Sequence, residues 1–457
     1  MSNTISPHIF RAYDIRGLYN KDIFPETFYY IGASAGTYLK RDLGGKHLTV
    51  GCDIRKSSPT LVHSFIAGVT STGVDVLFTG TTSFGQTLFT GWKKNQDLIS
   101  FVTASHLPPE WNGIKFYYGD GVGLPEEELM KIRDYTLENS QTLSNWQEIG
   151  AVTRTESNKD YSQFFKDRCS FKNKLRVAID CGGASMTLSA PEVFANVGLE
   201  VIPVFCEPDP LFSKRPSDPK PQNLDVLIKK VKENNCDFGV AFDGDGDRSV
   251  IVDNSGKILS ADQTGIIIGK LGNLNKGTVI VNVECSKAVK EQLEPLGYRI
   301  KQIPVGHTFL TLEAKKENSP LGIESSGHLI IPNYFLFDDA IVVPLKIAEI
   351  LDNTKLSLSE IVKEIPIYPT RKEEIPCPDE IKFDVIDKLK RKLSEEYSDT
   401  NLMDGIRINL ENGWVLIRCS NTSPVIRLTT EADSEKIVDE IITDFKEKTE
   451  EIIKQVK

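Results

Sequence analysis

The stretch Asp97-Leu98-Ile99-Ser100-Phe101-Val102-Thr103-Ala104-Ser105-His106-Leu107-Pro108-Pro109-Glu110-Trp111-Asn112-Gly113-Ile114-Lys115 decides how this chain is read. Residues 97–102 carry the apolar, β-branched pattern of a buried strand, and Pro108-Pro109 stops a helix from starting directly after the serine. Ser105 therefore falls on a strand-end loop, where α/β sheets place their active sites. With Lys115 ten residues on, it reads as a phosphorylatable nucleophile. A solitary serine in such a turn more often only caps local backbone, so the reading depends on what the rest of the chain supplies.

Outward from this stretch, one pattern occurs three times: a β-branched strand ending in an acid, a helical stretch, a glycine and a second strand. The copies start at His47-Leu48-Thr49-Val50-Gly51-Cys52-Asp53, Leu175-Arg176-Val177-Ala178-Ile179-Asp180 and Thr278-Val279-Ile280-Val281-Asn282-Val283-Glu284. Their second strands open at Gly73, Gly198 and Gly297. Strand, helix and strand in this order make a right-handed crossover onto a parallel or mixed sheet, with the glycine ending the helix. The offsets, 127 residues from Val50 to Val177 and 103 from Val177 to Ile280, are domain-sized rather than solenoid-sized. After Pro369 the pattern changes to a charged stretch, three strands near 406–410, 414–418 and 425–429, and a long amphipathic helix from Ser434. The fold class read from this is α/β, three tandem related domains with mixed sheets, followed by a C-terminal α+β domain. The expected bounds are 1–152, 153–256, 257–368 and 369–457.

With 457 residues, 40% of them hydrophobic, the chain can bury several cores. A formal net charge of -10 argues against nucleic acid or an anionic membrane as the main partner. An anionic small substrate must then meet a local basic pocket. The eight cysteines are scattered without a CxxC pair or the clustered histidines of a zinc site, and are expected to be reduced core thiols of a cytoplasmic protein. No leader-like start and no 18-residue apolar run is found, so a soluble, unexported chain is expected, as monomer or homodimer.

Four further stretches carry chemistry. Phe238-Gly239-Val240-Ala241-Phe242 runs into Asp243-Gly244-Asp245-Gly246-Asp247-Arg248 before a further strand. Three carboxylates on alternate residues, separated by glycines that let the chain curl, can aim oxygens at one hard cation. An EF-hand is excluded, because Arg248 stands where that loop needs glycine and Asn254 where it needs its final glutamate. Mg²⁺ suits a three-carboxylate site that leaves room for a phosphate oxygen, with Arg248 placed to hold Ser105 or its phosphate. In Gly322-Ile323-Glu324-Ser325-Ser326-Gly327-His328, Glu324 can accept from two vicinal hydroxyls, as a sugar presents them. Arg418-Cys419-Ser420-Asn421-Thr422-Ser423-Pro424, with Arg427 beyond, joins cationic forks to hydroxyl, amide and backbone donors that cradle a phosphate. Phe10-Arg11-Ala12-Tyr13-Asp14-Ile15-Arg16-Gly17 adds two arginines. Residues 265–271 are too short for a nucleotide P-loop and no GxSxG elbow surrounds a serine, which weighs against kinase and serine-hydrolase readings.

Taken together and in this order, residues 10–17, 103–115, 243–248, 322–328 and 418–427 resemble the α-D-phosphohexomutase superfamily, most closely its phosphomannomutase/phosphoglucomutase branch. The resemblance implies three related α/β domains and a TBP-like fourth around one cleft. It implies Ser105 as the phosphoserine and Asp243, Asp245 and Asp247 as Mg²⁺ ligands, with a phosphoserine oxygen as a further ligand. Glu324 and Ser326 would hold the sugar 3- and 4-hydroxyls, and Arg418, Ser420, Asn421 and Thr422 the phosphate. Arg16, Lys115, His307 and His328 would lie near the reacting groups. The implied activity is exchange of hexose 1-phosphate and hexose 6-phosphate, for mannose or glucose, with hexose 1,6-bisphosphate as intermediate and activator. A phosphoglucosamine or N-acetylglucosamine-phosphate mutase is the alternative, and a non-catalytic sugar-phosphate-binding paralogue a further one. Leu107, residues 80–84, Ile323 and Pro304 depart from common family residues, which blurs the sugar but removes neither nucleophile nor metal ligand.

Overall fold

The computed structural model describes residues 5–420 and 424–456. Its first three sheets repeat one wiring. In the first, the strands His47–Cys52, Asp75–Thr81 and Leu98–Val102 are parallel, and the last turns back into an antiparallel fourth, Trp111–Tyr118. The helices Ser58–Ser71 and Phe84–Lys93 make the two crossovers. Arg176–Asp180, Glu200–Val204, Phe238–Phe242 and Ser249–Asp253 are joined in the same relative order, as are Thr278–Asn282, Arg299–Ile303, Gly322–Ile323 and Leu329–Ile330. The first sheet alone is widened at its edges, by Asp14–Leu18 and Val152–Arg154.

This wiring explains the spacing of the chemical motifs. In each repeat the reversal from third to fourth strand is a short loop, and those loops are residues 103–110, 243–248 and 324–328. The serine, the aspartates and the glutamate therefore occupy equivalent places in three related sheets. They meet because the first three domains share one continuous apolar core. At their junction Phe84 and Phe89 of the first domain, Tyr161 and Phe165 of the second and Phe335 of the third are all buried, and Phe164 stacks on Phe335 at 4.8 Å between ring centroids. Each such ring stabilises the packed state by about 1.5–3 kcal/mol through burial, and each aromatic pair by about 0.5–1.5 kcal/mol more.

The fourth domain is an antiparallel sheet in the order Thr370–Pro376, Val425–Ala432, Gly413–Cys419, Ile406–Leu410, Thr400–Asn401, covered by the helices Lys382–Glu396 and Glu435–Val456. Its core, from Ile375 to Ile453, is its own. The charged stretch before Glu396 is the outer face of a helix that buries Val385, Ile386, Leu389 and Leu393. Polar contacts join this domain to the third: Arg407 donates to the Val283 carbonyl, Lys287 pairs with Asp433, and Arg418 pairs with Glu284.

None of the eight cysteines is in a disulfide, but Cys169 and Cys206 are only half-buried, so the expectation of core thiols throughout is corrected. Cys169 lies just beyond the helix Asn158–Lys166 and Cys206 just beyond the strand Glu200–Val204, where the packed layers end. Among the described residues no helix is long and apolar enough to cross a membrane.

Candidate active site

Ser105 sits in a backbone conformation that side chains rarely adopt, with φ at +49°. For an L-residue this costs roughly 1–2 kcal/mol, so the surrounding structure has to hold it. Arg55 does most of this. Its guanidinium is fully buried and donates to the carbonyls of Ser105 (2.7 Å), Leu107 (2.7 Å), Pro108 (2.5 Å) and Trp111 (3.2 Å), and to Asp53 Oδ2 (2.9 Å). Asp53 also accepts from Thr103 Oγ1 at 2.8 Å, and Thr103 Oγ1 in turn accepts from the Ser105 amide at 2.9 Å. The serine is thus fixed by a buried ion pair that uses all five guanidinium donors.

The aspartate loop presses directly on it. A Cβ added at Gly244 would lie 2.2 Å from the Ser105 carbonyl oxygen, so only glycine permits this approach, and Gly246 turns the chain at φ +84°. Ser105 Oγ donates to Asp243 Oδ2 at 2.9 Å. Asp243, Asp245 and Asp247 are all buried and bring one oxygen each to within 4.8 Å of one another. Lys115 Nζ reaches Asp245 Oδ2 at 3.0 Å and Asp247 Oδ2 at 2.5 Å, and Arg248 reaches Asp243 Oδ2 at 3.2 Å. Asp245 Oδ1 and Asp247 Oδ1 accept no hydrogen bond although buried. Burial and the charges of Asp247 and Asp245 raise the Asp243 carboxyl to about 8, whereas at Asp245 the burial effect is overcome by Lys115, which holds its carboxyl below the usual range. Buried carboxylate oxygens without donors, one carboxyl driven towards its neutral form by burial and like charge, and an oxygen-only donor set fit a hard divalent cation such as Mg²⁺.

Two histidines face this cluster. His307, at the start of the helix His307–Lys316, stacks on His328 with ring centroids 5.4 Å apart. Burial, together with Lys115 and the neighbouring His328, holds His307 well below its ordinary range and therefore neutral. Burial acts on His328 in the same sense but loses to Asp247 and Asp338, which raise it to about 9; its Nδ1 hydrogen-bonds Asp338. Asp247, His328 and Asp338 also bring ligand-type atoms within 4.8 Å of one another, and there the imidazolium itself is the cation between two carboxylates. Despite burial, Asp245 and Asp247 keep Lys115 protonated, so Lys115 enters as a charge and not as a base. His106, beside Ser105, is lowered to about 2 by burial and by Arg248 and Arg16. Arg16 donates to Asp14 at 2.6 Å.

The third loop closes over the same place. Glu324 is buried, accepting from the Gly306 amide at 3.1 Å and from Ser326 Oγ at 2.7 Å, while Ser326 is exposed. Arg248 donates to the Ser326 carbonyl at 3.4 Å, so one guanidinium spans the aspartate and glutamate loops. In the fourth domain Arg418 is buried and engaged by Glu284 at 3.2 Å and Asp404 at 3.7 Å. Arg427, opposite Arg418 in the sheet, pairs with Glu374 at 3.0 Å. The Ser420 carbonyl accepts from buried Lys382 at 2.8 Å. Asn421 and Thr422 lie outside the described residues.

Sequence reasoning missed the braces behind the loops. Asp53 pairs with Arg55, Asp180 with Arg215 (3.0 Å), and Glu284 with Arg418. Arg215 also donates to the Phe242 carbonyl at 2.5 Å, at the root of the aspartate loop. An acid at each repeat's first strand was visible in the sequence; its pairing with an arginine 2, 35 or 134 residues away was not. Asp338 had no motif to mark it.

Comparison with known proteins identifies the family of the fold. Models of phosphoglucomutase/phosphomannomutase α/β/α domains I, II and III match residues 7–143, 159–256 and 260–368, and that of the C-terminal domain matches 374–448. The chain belongs to the phosphoglucomutase/phosphomannomutase family, within the α-D-phosphohexomutase superfamily. A Methanopyrus kandleri protein described as a probable phosphoglucosamine mutase is 33% identical over 453 residues, 97% of this chain and 98% of that one. A Pseudomonas putida phosphomannomutase/phosphoglucomutase is 34% identical over 432 residues, 93% and 92% of the two chains. The crystal structure of a phosphoglucomutase/phosphomannomutase family protein from Burkholderia thailandensis superposes with a TM-score of 0.90 at 26% identity, covering 98% of each chain.

Proposed function

We propose that this chain interconverts hexose 1-phosphate and hexose 6-phosphate through a phosphoserine at Ser105 and a bisphosphorylated sugar. The observation that carries the reading is Ser105 Oγ 2.9 Å from Asp243, among three buried carboxylates, the buried Lys115 and the partly buried Arg248, where the loops of three domains meet. A phosphoryl group on Ser105 passes to the free 1- or 6-hydroxyl of a bound hexose phosphate, the sugar reorients, and its other phosphate returns to Ser105. Phosphoryl transfer is largely positioning and charge neutralisation. Asp243, Asp245 and Asp247 would hold Mg²⁺, which when bound neutralises charge on the transferring group. Arg248 and Lys115 supply fixed positive charge, and neutral His307 offers an unprotonated ring nitrogen for the hydroxyl proton. Glu324 and Ser326 bind vicinal sugar hydroxyls, and the residue 418–427 loop takes the phosphate that is not reacting.

Mannose and glucose differ at C2 but share O3 and O4, so contacts from Glu324 and Ser326 leave both as substrates. A second reading, a phosphoglucosamine mutase, is favoured by the full-length similarity to proteins of that description, at 33% and 35% identity. A coupled assay with mannose 1-phosphate, glucose 1-phosphate and glucosamine 1-phosphate ranks the sugars. Highest kcat/KM on glucosamine 1-phosphate would replace the first reading by the second. Phosphate release outpacing isomer formation would overturn both.

A further inference from the structure

Behind the aspartate loop, two cysteines from neighbouring strand ends meet. Cys206 Sγ lies 3.3 Å from Cys181 Sγ, closer than its 3.4 Å to the Val204 carbonyl, and 3.3 Å from the Ile179 carbonyl. The strands Arg176–Asp180 and Glu200–Val204 are parallel neighbours, and the Cys181 amide donates to the Val204 carbonyl, so the pairing continues to the thiols. Cys181 is buried and Cys206 half-buried, so Cys206 is the one of the pair nearer to solvent. A disulfide needs the sulfurs about 2.05 Å apart, so a closure of little more than 1 Å is required. The backbone on both sides is already unusual: Phe205 stands at φ +47°, and Gly182 and Gly183 at +58° and +66°.

We propose that Cys181 and Cys206 form a reversible disulfide site, oxidised by a peroxide, beneath the candidate active site. Cys206 thiolate attacks one peroxide oxygen; the O–O bond breaks, and the departing hydroxide takes a proton and leaves as water. The resulting sulfenic acid is attacked by Cys181, whose proton passes to the departing hydroxide as a second water forms and the S–O bond breaks. Two thiols lose two electrons in all, and the peroxide is reduced to two waters. The order of attack follows from the pair itself. The hydrogen bond shared with Cys181 lowers the Cys206 thiol, opposing its burial, whereas burial raises Cys181. The site is coupled to the catalytic loops by short links: Asp180, next to Cys181, pairs with Arg215, and the Ser185 amide donates to the Gly244 carbonyl at 3.2 Å.

The test uses the full chain, treated with hydrogen peroxide, alkylated under denaturing conditions and mapped by mass spectrometry. A peptide pair joined through Cys181 and Cys206, two hydrogens lighter than the reduced pair and separated by dithiothreitol, is expected. Cys206→Ser, with its Tm compared to wild type, should abolish the joined peptide and leave Cys181 alkylatable. Wild-type protein in which both thiols are alkylated after peroxide, or in which Cys206 advances to sulfinic acid while Cys181 remains a free thiol, would overturn the proposal. The wild-type map decides even if the variant does not fold. The outcome is independent of which sugar phosphate the protein uses.

Discussion

Substituting Arg55 by lysine tests how Ser105 is held. Arg55 makes five side-chain hydrogen bonds, four of them to carbonyls of residues 105–111. A lysine has three donors, so at least two acceptors lose theirs inside a site that water does not reach. At about 1.5–3 kcal/mol for each charged hydrogen bond, the loss is about 3–6 kcal/mol. Asp53 keeps a cation and its bonds from Ser58 and Thr103, so the fold persists and the deficit falls on the loop. A deficit of about 3 kcal/mol or more loosens the loop that holds Ser105 in a conformation costing about 1–2 kcal/mol, so the serine should spend less time in it. Because about 1.4 kcal/mol is tenfold in rate, Arg55→Lys should lower kcat/KM for glucose 1-phosphate by roughly 100-fold or more, with a modest fall in Tm. Limited proteolysis should open a new cut between residues 103 and 111. Wild-type kcat/KM with an uncut loop would refute the reasoning.

Asp245→Asn removes a carboxylate from the proposed cation site while leaving Asp247 to pair with Lys115, so kcat should drop by orders of magnitude and Mg²⁺ titration should saturate later; chelator-resistant wild-type activity would contradict this. Arg418→Ala should weaken substrate binding by about 2–4 kcal/mol and release more bisphosphate per turnover, whereas wild-type KM and bisphosphate levels would leave Arg418 only its ion pairs with Glu284 and Asp404. Asp339 accepts from Tyr161 at 2.8 Å where the first three domains meet, and burial raises its carboxyl to about 7. Its native-state protonation therefore favours the fold below about pH 4, and this contribution is lost as pH rises through about 7, a difference on the order of 4 kcal/mol. Asp339→Asn should accordingly gain Tm relative to wild type between those limits; a Tm difference that does not change with pH would refute it.

The fold was legible where local chemistry determined it. Strands that end in an acid, a glycine at each crossover and the change of pattern after Pro369 gave three related domains and a different fourth. The fourth strand was read only in the second repeat, after Arg248; in the third, Gly322–Ile323 and Leu329–Ile330 are too short to show a period, and it is the shared fourth strand which makes the three chemical loops equivalent. Ser105 and the three aspartates were legible because glycines and prolines marked their turns. Arg55, Arg215, Asp338 and the pairing of Glu284 with Arg418 were not, because each acts through a partner that only the folded chain brings near. Lys115 was visible as a cation, but its ion pairs with Asp245 and Asp247, which set its charge, join residues 130 and 132 positions apart.

Ser105 itself gives the most direct test. Wild-type protein incubated with glucose 1,6-bisphosphate should carry one phosphate, mapped to Ser105, and lose it to added glucose 1-phosphate at a rate no slower than turnover. Ser105→Ala should carry none and turn over no substrate, with an unchanged Tm. A phosphate found on another residue, or full activity in Ser105→Ala, would contradict the account.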